Sequence, residues 1–215
     1  MNLAKFVSLL DRHALYFCQV DDLDDPFEGS LWPSRLLDRS GDSPALRFAH
    51  KVRSYYPKVK VNCWHLADSE SAAMWRLYSG ANAGIAIQST FSGLCEAFKP
   101  CACEVRIGKV RYINYDKEYF EKGHGDDIYT PFLYKRLSYQ YESEVRAIIT
   151  DGEGKCVGDA RGGLYVPVDL GALVRKVRVA PDTPDWVTQL VVSISAKYGV
   201  DADITRSILG VDPLY

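Results

Sequence analysis

Short runs of β-forming residues, each bounded by a turn or a short helical pattern, recur along the whole chain and fix the class of fold open to it. Residues 14–20, 58–64, 84–88, 142–150, 164–168 and 174–179 read as strands, and residues 103–115 as one long strand with Gly108 as a bulge. Leu3, Phe6, Val7 and Leu10 recur at i, i+3, i+4 and i+7, the stripe of an amphipathic N-terminal helix. Further helices are expected over 44–56, ended by Pro57, over 69–78, behind a serine able to cap and stopped by Gly80, and over 90–98. A helical turn is expected at 116–122. Thr183-Pro184-Asp185 combines a capping hydroxyl, a first-turn proline and an acid at the positive dipole end. The helix it opens runs through Trp186, Leu190, Ile194 and Tyr198 to Gly199, and residues 204–209 return as an edge strand. Hairpins interleaved with helices predict an α+β fold, a mixed and mainly antiparallel twisted sheet with flanking helices, filling residues 1–215 as one domain.

Apolar residues at 47% and charged residues at 25% allow a core that needs neither disulfide nor metal. Lys plus Arg total 26 against 28 for Asp plus Glu, so the general attraction to phosphate backbones that nucleic-acid binding needs is missing. Lys5, Asp11 and Arg12 interrupt the N-terminal stripe, unlike a signal peptide, and no uncharged apolar run approaches the ~20 residues of a membrane span. The expected location is the cytoplasm, where Cys18, Cys63, Cys95, Cys101, Cys103 and Cys156 are expected as free thiols. Cys-x-Cys lacks the ligand spacing of structural zinc sites and no His follows nearby, so no metal is expected and melting should not respond to reductant.

The most chemically suggestive segment is Tyr141-Glu142-Ser143-Glu144-Val145-Arg146-Ala147-Ile148-Ile149. Alternate strand residues share a face, so Glu142, Glu144 and Arg146 are expected to point one way and Tyr141, Val145, Ala147 and Ile149 into the core. Two carboxylates ~7 Å apart beside a guanidinium can hold a ribose hydroxyl or stabilise a cationic transition state. The plainer reading of the same row, and the one the pattern alone favours, is a half-solvated sheet face. The acidic run from Asp21 to Glu28 lacks the register of a calcium loop and reads as a turn held by Asx bonds, with Phe27 tucked inward and Asp25 and Glu28 facing a cleft. Trp64-His65 leaves a strand, and Trp75, Arg76 and Tyr78 lie on the next helix. Such a set can stack a nucleobase or nicotinamide ring, or fill a core, and His65 suits an acid, base or donor near neutrality. Residues 123–127 are a candidate mobile loop. No dinucleotide-binding, Walker, zinc-protease or nucleophile-elbow motif is present.

Taken together, Asp25-Pro26-Phe27-Glu28, Cys63-Trp64-His65, Met74-Trp75-x-x-Tyr78, Gly84-Ile85-Ala86-Ile87, Val110-x-Tyr112, Lys135 and Tyr141-Glu142-x-Glu144-x-Arg146 resemble bacterial domain-of-unknown-function family 2971 over about residues 1–150. His65 stands where the family pattern more often has Ser, and Tyr139 where it often has Trp. The resemblance adds Lys135 to the candidate site and implies no established activity.

Glu142-Ser143-Glu144-Val145 is also similar to the Glu-x-Glu strand of ADP-ribosyltransferases, whose second Glu holds the nicotinamide ribose as its bond to nicotinamide breaks. That likeness implies an ADP-ribosyltransferase-like fold and a transferase using NAD or a related nucleotide. Glu144 would be catalytic with Glu142 and His65, and Asp25, Glu28, Trp64, Trp75, Arg76, Tyr78, Lys135 and Arg146 would bind the ligand. Those enzymes also place an Arg or His on an early strand, which residues 15–20 lack. The rival expectation is a non-enzymatic module, a homodimer or a small-ligand sensor, in which the Glu-Glu-Arg row forms salt bridges. A common pocket around Glu28, Trp64, Trp75 and Glu144 favours the enzyme; carboxylates that are flat or paired favour the rival.

Overall fold

The structure, a computed structural model, describes residues 1–30, 44–79, 84–115, 127–150 and 154–211. In chain order its elements are α1 (Leu3–Arg12), β1 (Ala14–Gln19), α2 (Pro44–Tyr55), β2 (Val59–His65), α3 (Ala72–Tyr78), β3 (Ile85–Gln88), α4 (Phe91–Ala97), β4 (Arg106–Lys109), β5 (Arg111–Ile113), β6 (Tyr134–Arg136), β7 (Glu144–Thr150), β8 (Val157–Gly158), β9 (Leu164–Pro167), α5 (Leu170–Leu173), β10 (Lys176–Val179), α6 (Asp185–Lys197) and β11 (Asp203–Arg206). The fold is α+β with mainly antiparallel pairing. Two compact units form: residues 16–66 with 103–164, and residues 1–15, 67–102 and 165–215. Among the described residues no helix is long and apolar enough to cross a membrane.

In the unit containing residues 16–66, β4, β7, β2 and β1 are neighbours in that order, each pair antiparallel. β7 pairs with β2 from Val59↔Thr150 to His65↔Glu144, and with β4 from Arg106↔Ile148 to Lys109↔Val145. Residues Glu144 through Ile149 are all buried. Val59, Val61 and Ile148 join Val20, Val52 and Tyr56, from β1's exit and α2's side, and Phe132 in one apolar cluster. The register puts Glu144 and Arg146 on that same face of β7 as Ile148. The row therefore faces the core, which corrects the expected half-solvated face: a central strand flanked on both edges loses the in-out alternation that sequence patterning relies on. Tyr141, expected in the core, is exposed instead, because it precedes the strand in a 3-10 turn spanning Leu137–Glu142.

The long strand expected over 103–115 is two strands. Val110 donates its N–H to Glu144 O at 2.9 Å, at the very start of β7, and beyond it the chain takes up parallel pairing with β6, Tyr112 opposite Lys135. Gly108 is no bulge: it pairs in register with Arg146, and a Cβ there would stand 2.6 Å from Leu133 Cδ1.

In the other unit, β11, β10 and β3 form a sheet with β10–β11 parallel and β10–β3 antiparallel. Asn2 caps α1, accepting from Lys5 N at 2.9 Å, and the helix buries Phe6, Leu9 and Leu10. α3 begins only at Ala72, where Ser71 accepts from Met74 N. Pro184 rather than Thr183 holds the N-cap position of α6, so the expected hydroxyl cap is not made. β11 is the expected edge strand but stops at Arg206, and Ile208–Gly210 turn as a 3-10 segment. The Gly80 helix stop, the helical turn at 116–122 and residues 123–126 of the expected loop lie outside the described residues.

Candidate functional site

Three local features converge on β7. The first is the turn after β1. Asp25 Oδ1 accepts from Phe27 N at 3.1 Å, the expected Asx bond, and Glu28 N donates to Asp25 O at 3.0 Å. Gly29 follows at φ +75, a conformation a side chain resists, and Tyr56 Oη donates to Glu28 O at 2.7 Å. The turn thereby buries the Glu28 carboxylate.

The second is β6, which supplies Lys135 and Arg136. Neighbouring strand residues point to opposite sides, and the two cations part accordingly. Lys135 is buried, whereas Arg136 is partly exposed and grips the buried Asp25, Nε to Oδ2 at 3.1 Å and Nη2 to Oδ1 at 2.9 Å. The third is Ser143 at φ 42, a rare left-handed non-glycine residue that swings the chain from the 3-10 turn into β7. Glu142 is therefore off the strand, a correction to the expected shared row, yet its carboxylate still reaches the same place.

The result, among the described residues, is a buried cluster of three carboxylates and two cations. Lys135 Nζ donates to Glu144 Oε1 at 2.7 Å and to Glu142 Oε2, and lies 3.2 Å from Glu28 Oε1. Arg146, fully buried, donates from Nε to Glu144 Oε2 at 2.7 Å, from Nη2 to Glu144 Oε1 at 3.2 Å, and from Nη1 to Phe132 O at 3.0 Å. Its Nη2 also forms an ion pair with Glu28 Oε2. Both Glu28 oxygens thus lie against cations, but neither accepts a well-directed hydrogen bond.

Among the described residues the formal balance is three negative charges against two positive, and the three carboxyls respond to this setting unequally. Burial raises Glu28 above its ordinary range, with Arg146 and Lys135 only partly offsetting it. Burial, then a hydrogen bond shared with Glu144, raises Glu142. Burial also pushes Glu144 upward, but hydrogen bonds from Arg146, Glu142 and Lys135 outweigh it and hold Glu144 well below the usual carboxylate range. One proton shared among these three carboxyls would balance the charges of the described cluster, and the two raised groups, Glu28 and Glu142, are the ones that favour holding it.

The cluster's rim contains residues that the family motifs include but that were not expected in the site. Tyr112 Oη accepts from Glu144 N at 2.8 Å, and burial pushes its own pKa up to about 12. Tyr139 lies under Lys135, 4.7 Å from Nζ to the ring centre, and stacks with the exposed Tyr141 at 6.5 Å. Cys63, exposed, stands opposite Arg146 in the ladder. Counting by two along β2 from His65 would have placed Cys63 on its face; for Tyr112 and Tyr139 the one signal was their place in the family motifs, since no local spacing makes them neighbours of Glu144.

Of the expected site residues, Glu28, Lys135, Glu142, Glu144 and Arg146 come together, and Asp25 pairs beside them with Arg136. His65 is the ladder partner of Glu144, and its Nδ1 lies 2.5 Å from Glu142 O; a carbonyl only accepts, so Nδ1 carries the proton. Trp64 does not join them. It is paired with Val145, on the opposite face of the sheet from Glu144, and its Nε1 donates to Asn62 Oδ1 at 2.6 Å. Trp75, Arg76 and Tyr78 belong to the other unit, on α3, where Trp75 Nε1 donates to Glu70 Oε2 at 3.0 Å.

No curated protein and no solved structure matches the chain. Residues 74–147, the stretch that carries Lys135, Glu142, Glu144 and Arg146, match the model of the family described as Protein of unknown function (DUF2971), so the family likeness read from the motifs is shown there, over a shorter span than the motifs cover.

Proposed function

We propose that the protein is a non-enzymatic small-ligand-binding module whose buried ion cluster is the rigid floor of its ligand site. One observation carries this reading: both oxygens of Glu144 are already taken by Arg146 and Lys135 inside the fold. A transferase needs that carboxylate directed at a ribose, and here it is spent on internal cations. The surface nearest the cluster supports a planar, anionic ligand such as a nucleotide. Tyr141 offers an exposed ring stacked on Tyr139, and Arg136, whose Nε and Nη2 are engaged by Asp25, presents the plane of a partly exposed guanidinium between Phe27 and Tyr139, at 4.8 and 5.6 Å.

The second reading, an NAD-using transferase, is favoured by the opposed shifts of Glu142 and Glu144, since carboxyls driven apart in pKa are the usual acid and base of a site. Incubation with NAD, ADP-ribose and simple nucleotides, with melting curves and nicotinamide release read together, separates the two. A nucleotide-induced rise in melting temperature without release, reduced by Tyr141→Ala, is the expected result. Release that Glu144→Gln abolishes would establish the transferase, and neither shift nor release would remove the nucleotide site.

A further inference from the structure

Away from the ion cluster, two thiols in the same unit meet. Cys103 Sγ and Cys156 Sγ are 3.5 Å apart although 53 residues separate them in sequence. Neither is in a disulfide and both are partly buried, so the pair is tucked against the protein yet reachable by a small reagent. We propose that Cys103 and Cys156 are a modification site, a redox-responsive pair that closes into a disulfide.

The setting fits such a bond. Cys103 lies just ahead of β4, which borders β7 at the end of the strand order, and Cys156 immediately precedes β8. A bridge would tie the segment after β7 to the approach of the border strand, covering the part of the sheet that hydrogen bonds leave least constrained. Forming it requires the sulfurs to close from 3.5 Å to about 2.05 Å. Gly154 gives the Cys156 segment room to make that move: it sits at φ +65, and a Cβ placed there would meet nothing within 4 Å.

The oxidant is a low-molecular-weight organic disulfide. The thiolate of one cysteine attacks it, forming a mixed disulfide and expelling one thiol. The thiolate of the other cysteine then displaces the second thiol, leaving the protein disulfide. Two protein thiols are oxidised, one external disulfide is reduced, and the two protons end on the released thiols.

The test is to incubate the full chain with oxidised glutathione, alkylate the remaining thiols and map the unreduced peptides by mass spectrometry. The expected result is a Cys103–Cys156 linked peptide and a melting temperature raised by roughly 5–10 °C and restored by reductant. Cys101→Ser should keep the bridge, and Cys103→Ser and Cys156→Ser should each lose it. A bridge formed through Cys101 instead, mixed glutathione adducts alone, or one tightly held zinc ion per chain that blocks oxidation would overturn the assignment.

Discussion

Glu144 and Arg146, two residues apart on β7, form a two-point pair within one strand, Nε to Oε2 at 2.7 Å and Nη2 to Oε1 at 3.2 Å, with both side chains out of solvent. Strand geometry puts i and i+2 on one face, so the pair needs no neighbouring strand to form. Its neighbours make it part of a larger balance, since Lys135 and Glu28 also bear on the same two groups.

Because the pair is buried, removing one member strands the rest. Arg146→Met should leave Glu144 and Glu28 facing the core with Lys135 as the remaining cation among the described residues of the cluster, and should cost about 3–5 kcal/mol in urea denaturation. The exposed pair Arg53–Asp21, at 3.3 Å, is the control, and Arg53→Met should change stability by less than about 1 kcal/mol.

Glu144→Gln tests the same burial from the other side. A solvated strand carboxylate could be neutralised at little cost, which is the sequence-level expectation. The observed Glu144 accepts from two buried cations, so the amide leaves both under-compensated, and a loss of about 2–4 kcal/mol is expected by chemical denaturation. A change below about 1 kcal/mol would mean that the cluster rearranges readily.

What the sequence revealed follows from how local each signal is. The periodicity of Leu3, Phe6, Val7 and Leu10 and the β-rich runs of β2 and β7 are written within a few residues, and those elements lie where expected. The break at Val110 is not local, because it is set by the Glu144 carbonyl that ends the ladder. Likewise Glu142 and Glu144 look like strand neighbours until Ser143 turns left-handed. Trp64 and His65 are adjacent in sequence, but only the register with β7 shows that His65 and not Trp64 shares a face with Glu144. Glu28 and Lys135 entered the candidate site through the family motifs and a turn pattern; their meeting depends on tertiary packing that no spacing encodes.

The turn that aims Glu28 inward should be sensitive at one glycine. Gly29→Ala would place a Cβ 2.5 Å from Tyr56 Oη and 2.6 Å from Phe132 Cε1, at φ +75. Backbone strain and a clash with buried side chains add, so a loss of about 2–4 kcal/mol is expected. Gly154→Ala has the strain without the clash, at φ +65 in open space, and should cost only about 1 kcal/mol. Equal losses at the two positions would show that the packing around Glu28 yields freely.

The surplus carboxylate makes a prediction about pH whose direction is fixed by the two raised groups. Glu28 and Glu142 have folded pKa values above their ordinary 4.5, so between that value and the folded ones the native state binds more protons than the unfolded chain. Stability should therefore fall as pH rises through that window, by up to about 1.4 kcal/mol per pH unit for each proton released. Glu144 acts in the opposite sense: its lowered value contributes stability above the unfolded pKa that is lost as pH falls. The two effects oppose each other, so this cluster favours the folded state most above the ordinary carboxylate value and below the raised values of Glu28 and Glu142. Glu28→Gln removes one raised carboxyl and the surplus charge with it. Urea denaturation from pH 4 to 8 should show a shallower decline for this variant than for the parent protein. Parallel curves would show that Glu28 titrates normally, and that the surplus is relieved elsewhere, with Glu142 alone taking up the proton.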